Sequence, residues 1–473
     1  MRASSSGGRT TEGLPTPRRY VAILAVSAGT ALAVIDGSIV MVALPTIARD
    51  LHVDSASSVL VVTVYQLVLV MTVLPFSALG DRLGHRRLYQ YGQLLFAAAT
   101  AMCFFARSLP FLLVVRAAQA LGAAAALSVL AALIRSIYPS RHLGRGLGFN
   151  SVVISSGSAL APTLGGLILA VAPWPWVFAA AVPFAVLSLA IGFALPDPQP
   201  RDEPFDVFGA VLCAATFGLI ISGLESAVHG DSPVISAAIA LCGLLVGYFF
   251  VRRELGETRP ILPVDLLAQP VLALSSLGNF TAFVASMTLL LTLPFRLQHG
   301  YGFTPSQVGA VIAPWPLTVM FVAPLAGTLS DRIPAGLLGA IGMTIAILGM
   351  ACLAFLPPAP SYLDLAWRMG LTGAGFGMFM SPNARLIVGS APVERAAAAG
   401  GLISTTRLLG QTAGATLVAA LLALGLGSNR APPFVAAALA LVAGICSAAR
   451  LRPSIRNPEV AEAITVQPAS QLK

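Results

Sequence analysis

Charge is what this chain lacks most. Only 10% of its 473 residues are charged, against 57% hydrophobic. A soluble domain carries roughly 25% charged residues. So few charges cannot cover a water-facing surface, and lipid is the solvent that this composition fits. Lysine is nearly missing, since the only one is Lys473. A Walker A loop needs an internal lysine, so ATP binding of that kind is excluded. The five cysteines (Cys103, Cys213, Cys242, Cys352, Cys446) lie in apolar runs, and no C-x-x-C pair occurs. They read as small buried apolar residues, not as disulfides or metal ligands. The five histidines (His52, His85, His142, His229, His299) are scattered through loops without metal-ligand spacing and are expected to be solvated. No H-E-x-x-H, acidic metal cluster or nucleophile–base arrangement stands out. The expectation is no metal, no cofactor and no enzyme. The net charge of +9 sits in short loops, which points to membrane topology and away from nucleic acid.

What the chain has in abundance is long apolar runs. Fourteen are distinguished: 20–44, 57–79, 88–106, 110–134, 146–172, 176–195, 207–227, 234–251, 271–295, 306–329, 335–356, 363–387, 397–424 and 432–449. Only helices satisfy a lipid-facing backbone in segments of this length. The fold expected is therefore an all-α polytopic membrane protein. Residues 1–19 read as a disordered cytoplasmic tail, and 451–473 as a second tail.

The chain also repeats itself. Pro45, Pro75 and Asp81 are followed by Pro294, Pro324 and Asp331 at offsets of 249, 249 and 250 (294 − 45, 324 − 75, 331 − 81). A period near 250 is too long for a solenoid. It reads as two copies of one membrane bundle, with a substrate site where they meet. Segments 1–6 (20–195) match segments 9–14 (271–450). Segments 7 and 8, within the linker 196–270, have no counterpart and read as an insertion. With the N-terminus inside, inner segments hold 21 of the 28 Lys and Arg residues. Outer segments hold four: Arg49, Arg107, Arg296 and Arg430. The positive-inside rule then places both termini in the cytoplasm.

Two features carry mechanism on residue chemistry alone. The first is G-D-R-L-G-H-R-R at 80–87, echoed by G-T-L-S-D-R at 327–332. Gly80 and Gly84 permit a tight turn. Asp81, Arg82, Arg86, Asp331 and Arg332 are expected to form a charge network that locks one orientation of the halves. The second is Asp36 with Arg116. Asp36 lies eight residues before Leu44, about 12 Å from the end of its segment, and Arg116 lies about 9 Å below the same surface. An intramembrane carboxylate is costly unless paired or hydrated. The two are expected to interact, and Asp36 is the candidate proton carrier. Gln119, one turn after Arg116, is expected to bond substrate or Asp36. Asp364 and Arg368 read as a local i,i+4 pair. Arg407 has no nearby acid, and backbone carbonyls are expected to satisfy it in preference to a substrate charge.

These residues lead to a resemblance. V-I-D-G-S-I-V-M-V-A-L-P (34–45), G-D-R-L-G-H-R-R (80–87), R-A-A-Q-A-L-G (116–122), G-S-A-L-A-P-T-L-G-G (157–166) and W-P-W-V-F (174–178) occur in order. Together they resemble the major facilitator superfamily, in particular its drug:proton antiporter branch with fourteen spans, over roughly residues 20–450. Ala120 and Ala161 stand where that pattern has glycine, and Pro175 where it has arginine. The resemblance implies a monomeric, proton-coupled exporter of drug-like, amphipathic or cationic organic compounds in the bacterial inner membrane. It makes Gly157, Pro162, Gly165 and Gly166 the antiporter motif, and adds Glu225 as a further coupling acid. The alternatives are a dedicated metabolite or antibiotic exporter, a passive facilitator or a non-transporting sensor.

Overall fold

The computed structural model describes residues 13–139, 143–196, 206–230, 232–257, 260–392 and 395–452. Most of the expected hinge 196–206 lies outside the described residues, as do positions 1–12 and 453–473 of the two tails. Every regular element among the described residues is helical. The first half contains α1 (Thr16–Asp50), α2 (Ser55–Leu83), α3 (His85–Met102), α4 (Leu109–Ser128), α5 (Leu130–Ile137), α6 (Leu143–Val171), α7 (Pro175–Ala179) and α8 (Val182–Ala190). Then come α9 (Val207–Val228) and α10 (Pro233–Glu254). The second half contains α11 (Pro270–Phe295), α12 (Pro305–Ile312), α13 (Pro314–Leu329), α14 (Ala335–Ala354), α15 (Tyr362–Ser390), α16 (Ala396–Ala423) and α17 (Ala431–Ala449).

Among the described residues, nine helices are long and apolar enough to cross a membrane. They are α1, α2, α4 run on into α5, α9, α10, α11 with its C-terminal turn, α12 run on into α13, α14 and α17. The other expected segments are helical as well, but they are shorter, interrupted or less apolar. Two interruptions follow from proline. The segment 306–329 breaks at Ala313, before Pro314 and Pro316, and 176–195 breaks before Pro183. A proline has no N–H to donate, so the helical hydrogen bonding lapses there although Ala313 itself keeps helical backbone.

The first helix departs most from its expected bounds. It continues through Pro45 to Asp50 and begins at Thr16, inside the stretch 1–19 expected to be a tail. Arginine chemistry explains the early start. Arg18 Nε donates to Ala194 O at 3.0 Å, where the first half ends in a short 3-10 turn with unsatisfied carbonyls. Arg19 turns back onto Leu14 O, and Leu14 N donates to Ile137 O.

Within the first half α1 lies on α6 and α8, and α4 lies between α2 and α3. In the second, α14 packs between α15 and α17, while α11 packs on α16 and α17. Contact between the halves is made by α6 on α12 and α13, α2 on α16, and α1 on α11. One apolar cluster joins the halves, with Leu44, Ile47, Val59 and Val62 against Leu291, Phe295, Val418 and Ala419. These positions fall at the end of α1, the start of α2 and the ends of α11 and α16. The cluster therefore closes one end of the molecule. The α9–α10 pair lies outside, and α9 touches both α2 and α16.

Candidate functional site

The helices bring Asp36 and Arg116 together in the interior of the first half. Arg116 Nη1 donates to Asp36 Oδ2 at 2.7 Å. The same nitrogen reaches Gln119 Oε1 at 2.8 Å, and Nε donates to Val61 O at 3.2 Å. Gln119 Nε2 in turn donates to Thr100 Oγ1 at 2.9 Å. Asp36, Arg116 and Gln119 are each at most 1% exposed. The guanidinium lies over the Tyr65 ring, 4.2 Å from its centroid, with Phe178 at 5.5 Å. Helices α1, α2 and α4 thus meet at one cation, and α3 joins through Thr100 on Gln119. Removing one partner of such a pair costs about 3–5 kcal/mol, because the other charge is left buried.

The arrangement has one open position. Asp36 Oδ1 is buried and accepts no hydrogen bond from the described residues, whereas Oδ2 is held by Arg116. A carboxylate with a single strong donor has room for a proton on the other oxygen.

Glu225 shows the same half-satisfied pattern. It is buried near the end of α9. Its Oε1 accepts from Thr416 Oγ1 of α16 at 2.6 Å, and Oε2 has no hydrogen-bond partner among the described residues. His229 Nδ1 stands 3.7 Å from Oε2. The expectation that every histidine is merely solvated is therefore corrected at His229, and again at His85, which meets Asp81 Oδ1 at 3.1 Å. Arg407 is half-buried on α16 and makes no hydrogen bond or ion pair to the described residues. The carbonyl partners expected for it are not found among the described residues. Asp364 and Arg368 stand 3.4 Å apart on one helix.

The loop motif ends α2 and starts α3. Gly84 sits between them at φ +94°, a conformation that L side chains avoid. A Cβ on Gly80 would stand 2.5 Å from Val129 Cγ1. Asp331 pairs with Arg385 of α15, a residue that the sequence reading did not select. Arg82, Arg86 and Arg332 make no ion pair among the described residues. Two of the acids expected in the network are thus seen with partners among the described residues: Asp81 with His85 and Asp331 with Arg385.

The motif of α6 lies against two different helices. Gly157 and Gly165 face Val34 and Ile39 of α1. On the other side, a Cβ on Gly166 would come within 2.7 Å of Pro305 O, and one on Gly309 of α12 would come within 2.2 Å of Pro162 O. Pro162 and Gly166 thus lie at the crossing of the two halves. Gly309, which completes that crossing, has no counterpart in the repeat and was missed by the sequence reading.

The family match decides the class. Residues 26–415 fit the Major Facilitator Superfamily. The chain belongs to the Major Facilitator Superfamily. It is a multi-pass membrane transporter with bacterial relatives. It is 44% identical over 444 residues to the uncharacterized transporter YebQ of Escherichia coli, covering 93% of this chain and 97% of that protein. It is 30% identical to the multidrug resistance protein Stp of Mycobacterium tuberculosis, covering 88% and 78% respectively. Among solved structures, a bacterial homolog of the human lysosomal transporter Spinster, in an inward-facing and unoccupied conformation, superposes with a TM-score of 0.66. At 18% identity, over 92% of this chain and 98% of that one, the likeness is one of fold.

Proposed function

We propose that the chain is a proton-coupled exporter of drug-like, amphipathic or cationic organic compounds, working by alternating access. In this reading all fourteen apolar segments span the bacterial inner membrane and both termini are cytoplasmic. Segments 1–6 rock against segments 9–14, with α9 and α10 as an added pair, and the unit is a monomer.

The observation that carries the reading is the buried Asp36 carboxylate, with one oxygen held by Arg116 and the other free. Protonation of Oδ1 would neutralise Asp36 and weaken its hold on Arg116. The guanidinium would keep its acceptors at Val61 O and Gln119. That frees α1 from α4 at a modest cost. Since α1 touches α11, and Gln298 Nε2 in the turn after α11 donates to Val42 O at 3.4 Å, a shift of α1 is felt by the second half. The apolar cluster at the far ends of α1, α11 and α16 supports a state closed towards the outside. Glu225 is a second carboxylate of the same kind, placed between the added pair and α16. Asp81 with His85, and Asp331 with Arg385, are the candidate latches of the cytoplasmic side. The name of the relative Stp supports drug efflux as the outcome.

The test is accumulation of a fluorescent lipophilic cation in energised inverted vesicles. Accumulation that a protonophore abolishes supports antiport. Movement insensitive to the protonophore would mean a passive facilitator.

One observation favours a second reading. Arg407 is an intramembrane cation without a partner among the described residues, and such a group is a substrate-binding candidate by default. An exporter dedicated to a metabolite or antibiotic bearing an acidic group would use it. Weak competition by lipophilic cations and strong competition by organic acids, lost in Arg407→Gln, would favour that reading.

A further inference from the structure

A pocket lies away from Asp36, at the end of the molecule closed by the inter-half cluster. Its volume is about 510 Å³. Arg296, Tyr301, Ser428, Asn429, Arg430 and Phe434 contribute to its wall, and no acidic side chain does. Arg296 follows α11 and is only 4% exposed. Two of its nitrogens cap α14, donating to Leu353 O at 2.8 Å and Ala354 O at 3.3 Å. Its Nε is buried and makes no hydrogen bond to the described residues. Arg430, at the start of α17, is exposed. Two guanidiniums therefore share one concave site without a counter-charge among its lining residues. Capping α14 accounts for part of Arg296. It does not account for the idle Nε or for the second arginine.

The surroundings indicate the kind of anion. The pocket lies where α11 and α14 end and α17 begins, and all three belong to the helices that are long and apolar enough to cross a membrane. This is the depth of lipid headgroups. Beside the charges stands an aromatic ledge. Phe355 and Phe434 meet edge to face at 5.6 Å and remain 58% and 44% exposed. Arg430 lies over Phe355, 5.3 Å from the ring centroid. Arginine binds phosphate oxygens through its planar fork of donors, and exposed phenylalanine beside it offers acyl chains an apolar surface. A free inorganic anion would use the arginines but not the ledge.

We propose that this pocket binds the phosphate headgroup of an anionic phospholipid, with the acyl chains lying along Phe355 and Phe434. On the positive-inside reading the lipid comes from the outer leaflet.

The test uses the full chain, purified in detergent and stripped of lipid. Phosphatidylglycerol, phosphatidylcholine or inorganic phosphate is added back. Native mass spectrometry counts retained lipid and a thermal melt reports stabilisation. Phosphatidylglycerol should be retained and should raise the melting temperature, with phosphatidylcholine weaker. Arg430→Gln should lower phosphatidylglycerol retention roughly tenfold, the worth of one lost charged hydrogen bond. Arg107→Gln, another exposed loop arginine, should leave retention unchanged. Phe434→Ala, which keeps both charges, should weaken the lipid and leave any inorganic phosphate effect intact. Equal retention of phosphatidylcholine, or no loss in Arg430→Gln, would overturn the site. Stabilisation by inorganic phosphate without any lipid preference would assign it to a free anion and overturn the lipid.

Discussion

Consider Arg116→Ala beside Asp36→Asn. Arg116 makes three hydrogen bonds to Asp36, Gln119 and Val61 and stacks on Tyr65. Its removal leaves the Asp36 carboxylate buried with neither of its oxygens bonded, since Oδ1 already lacks a partner. The cost of breaking such a pair is about 3–5 kcal/mol. That is on the order of a hundredfold to several thousandfold in the unfolding equilibrium. Asp36→Asn differs in kind. The asparagine keeps an oxygen that accepts from Arg116, and the cation keeps two other acceptors. Its cost should therefore be smaller, about 1–2 kcal/mol, in the range of one weakened charged hydrogen bond. The double variant Asp36→Asn/Arg116→Ala should be more stable than the sum of the single losses, with a coupling of about 1–3 kcal/mol. The assay is reversible unfolding in mixed micelles for all four proteins. Arg116→Ala no less stable than Asp36→Asn, together with zero coupling, would refute the claim that the two form a dry pair.

Three further outcomes follow from the same structure. Gly309→Leu should force α12 away from Pro162, at an overpacking cost of about 1–3 kcal/mol. Labelling of Leu291→Cys by an impermeant thiol reagent, in a background free of native cysteines, should then rise, and unchanged labelling would contradict a seal at that crossing. Glu225→Gln keeps the acceptor for Thr416 and should melt within about 1 kcal/mol of wild type, whereas Glu225→Ala should lose about 1–3 kcal/mol; the reverse order would show that the hydrogen bond is not what Glu225 contributes. Hydrogen bonds from Arg253 and Arg395 hold the carboxyls of Asp206 and Asp265 below the ordinary carboxylate range. Their stabilisation is complete above the unfolded carboxylate value and is lost as pH falls through the lower folded value. Each pair is partly exposed and contributes about 0.2–1 kcal/mol. Melting curves should fall below pH 4, and Arg253→Gln with Arg395→Gln should flatten that fall.

The apolar segments, Asp36 and Arg116 could be read from the chain because each is visible on its own. A run of some twenty apolar residues announces a helix, and a charge inside it stands out. The partners could not be read. Val61 contributes a backbone carbonyl, Tyr65 a ring face, and Thr416 one hydroxyl among many. Which of these meets a given charge depends on helix rotation. In a lipid-facing helix both faces are apolar, so periodicity does not tell the buried face from the outer one. The same applies to Gly309, one glycine among 44, whose value appears only when Pro162 lies across it. Arg385 lies 54 residues after Asp331 (385 − 331) and becomes its partner only because α15 packs on α13 across the intervening α14 in sequence. The breaks before Pro183 and Pro314 were legible in principle, because a proline interrupts hydrogen bonding wherever it lies inside a helix.

The central claim is that Asp36 carries the coupled proton. Inverted vesicles containing wild type or Asp36→Asn would be energised, and a pH-sensitive dye would follow proton movement as lipophilic cations are added. The account predicts substrate-triggered proton release in wild type and none in Asp36→Asn, with comparable levels of folded protein in the vesicles. Full release in Asp36→Asn would contradict it and leave the Asp36–Arg116 pair a structural tie between α1 and α4.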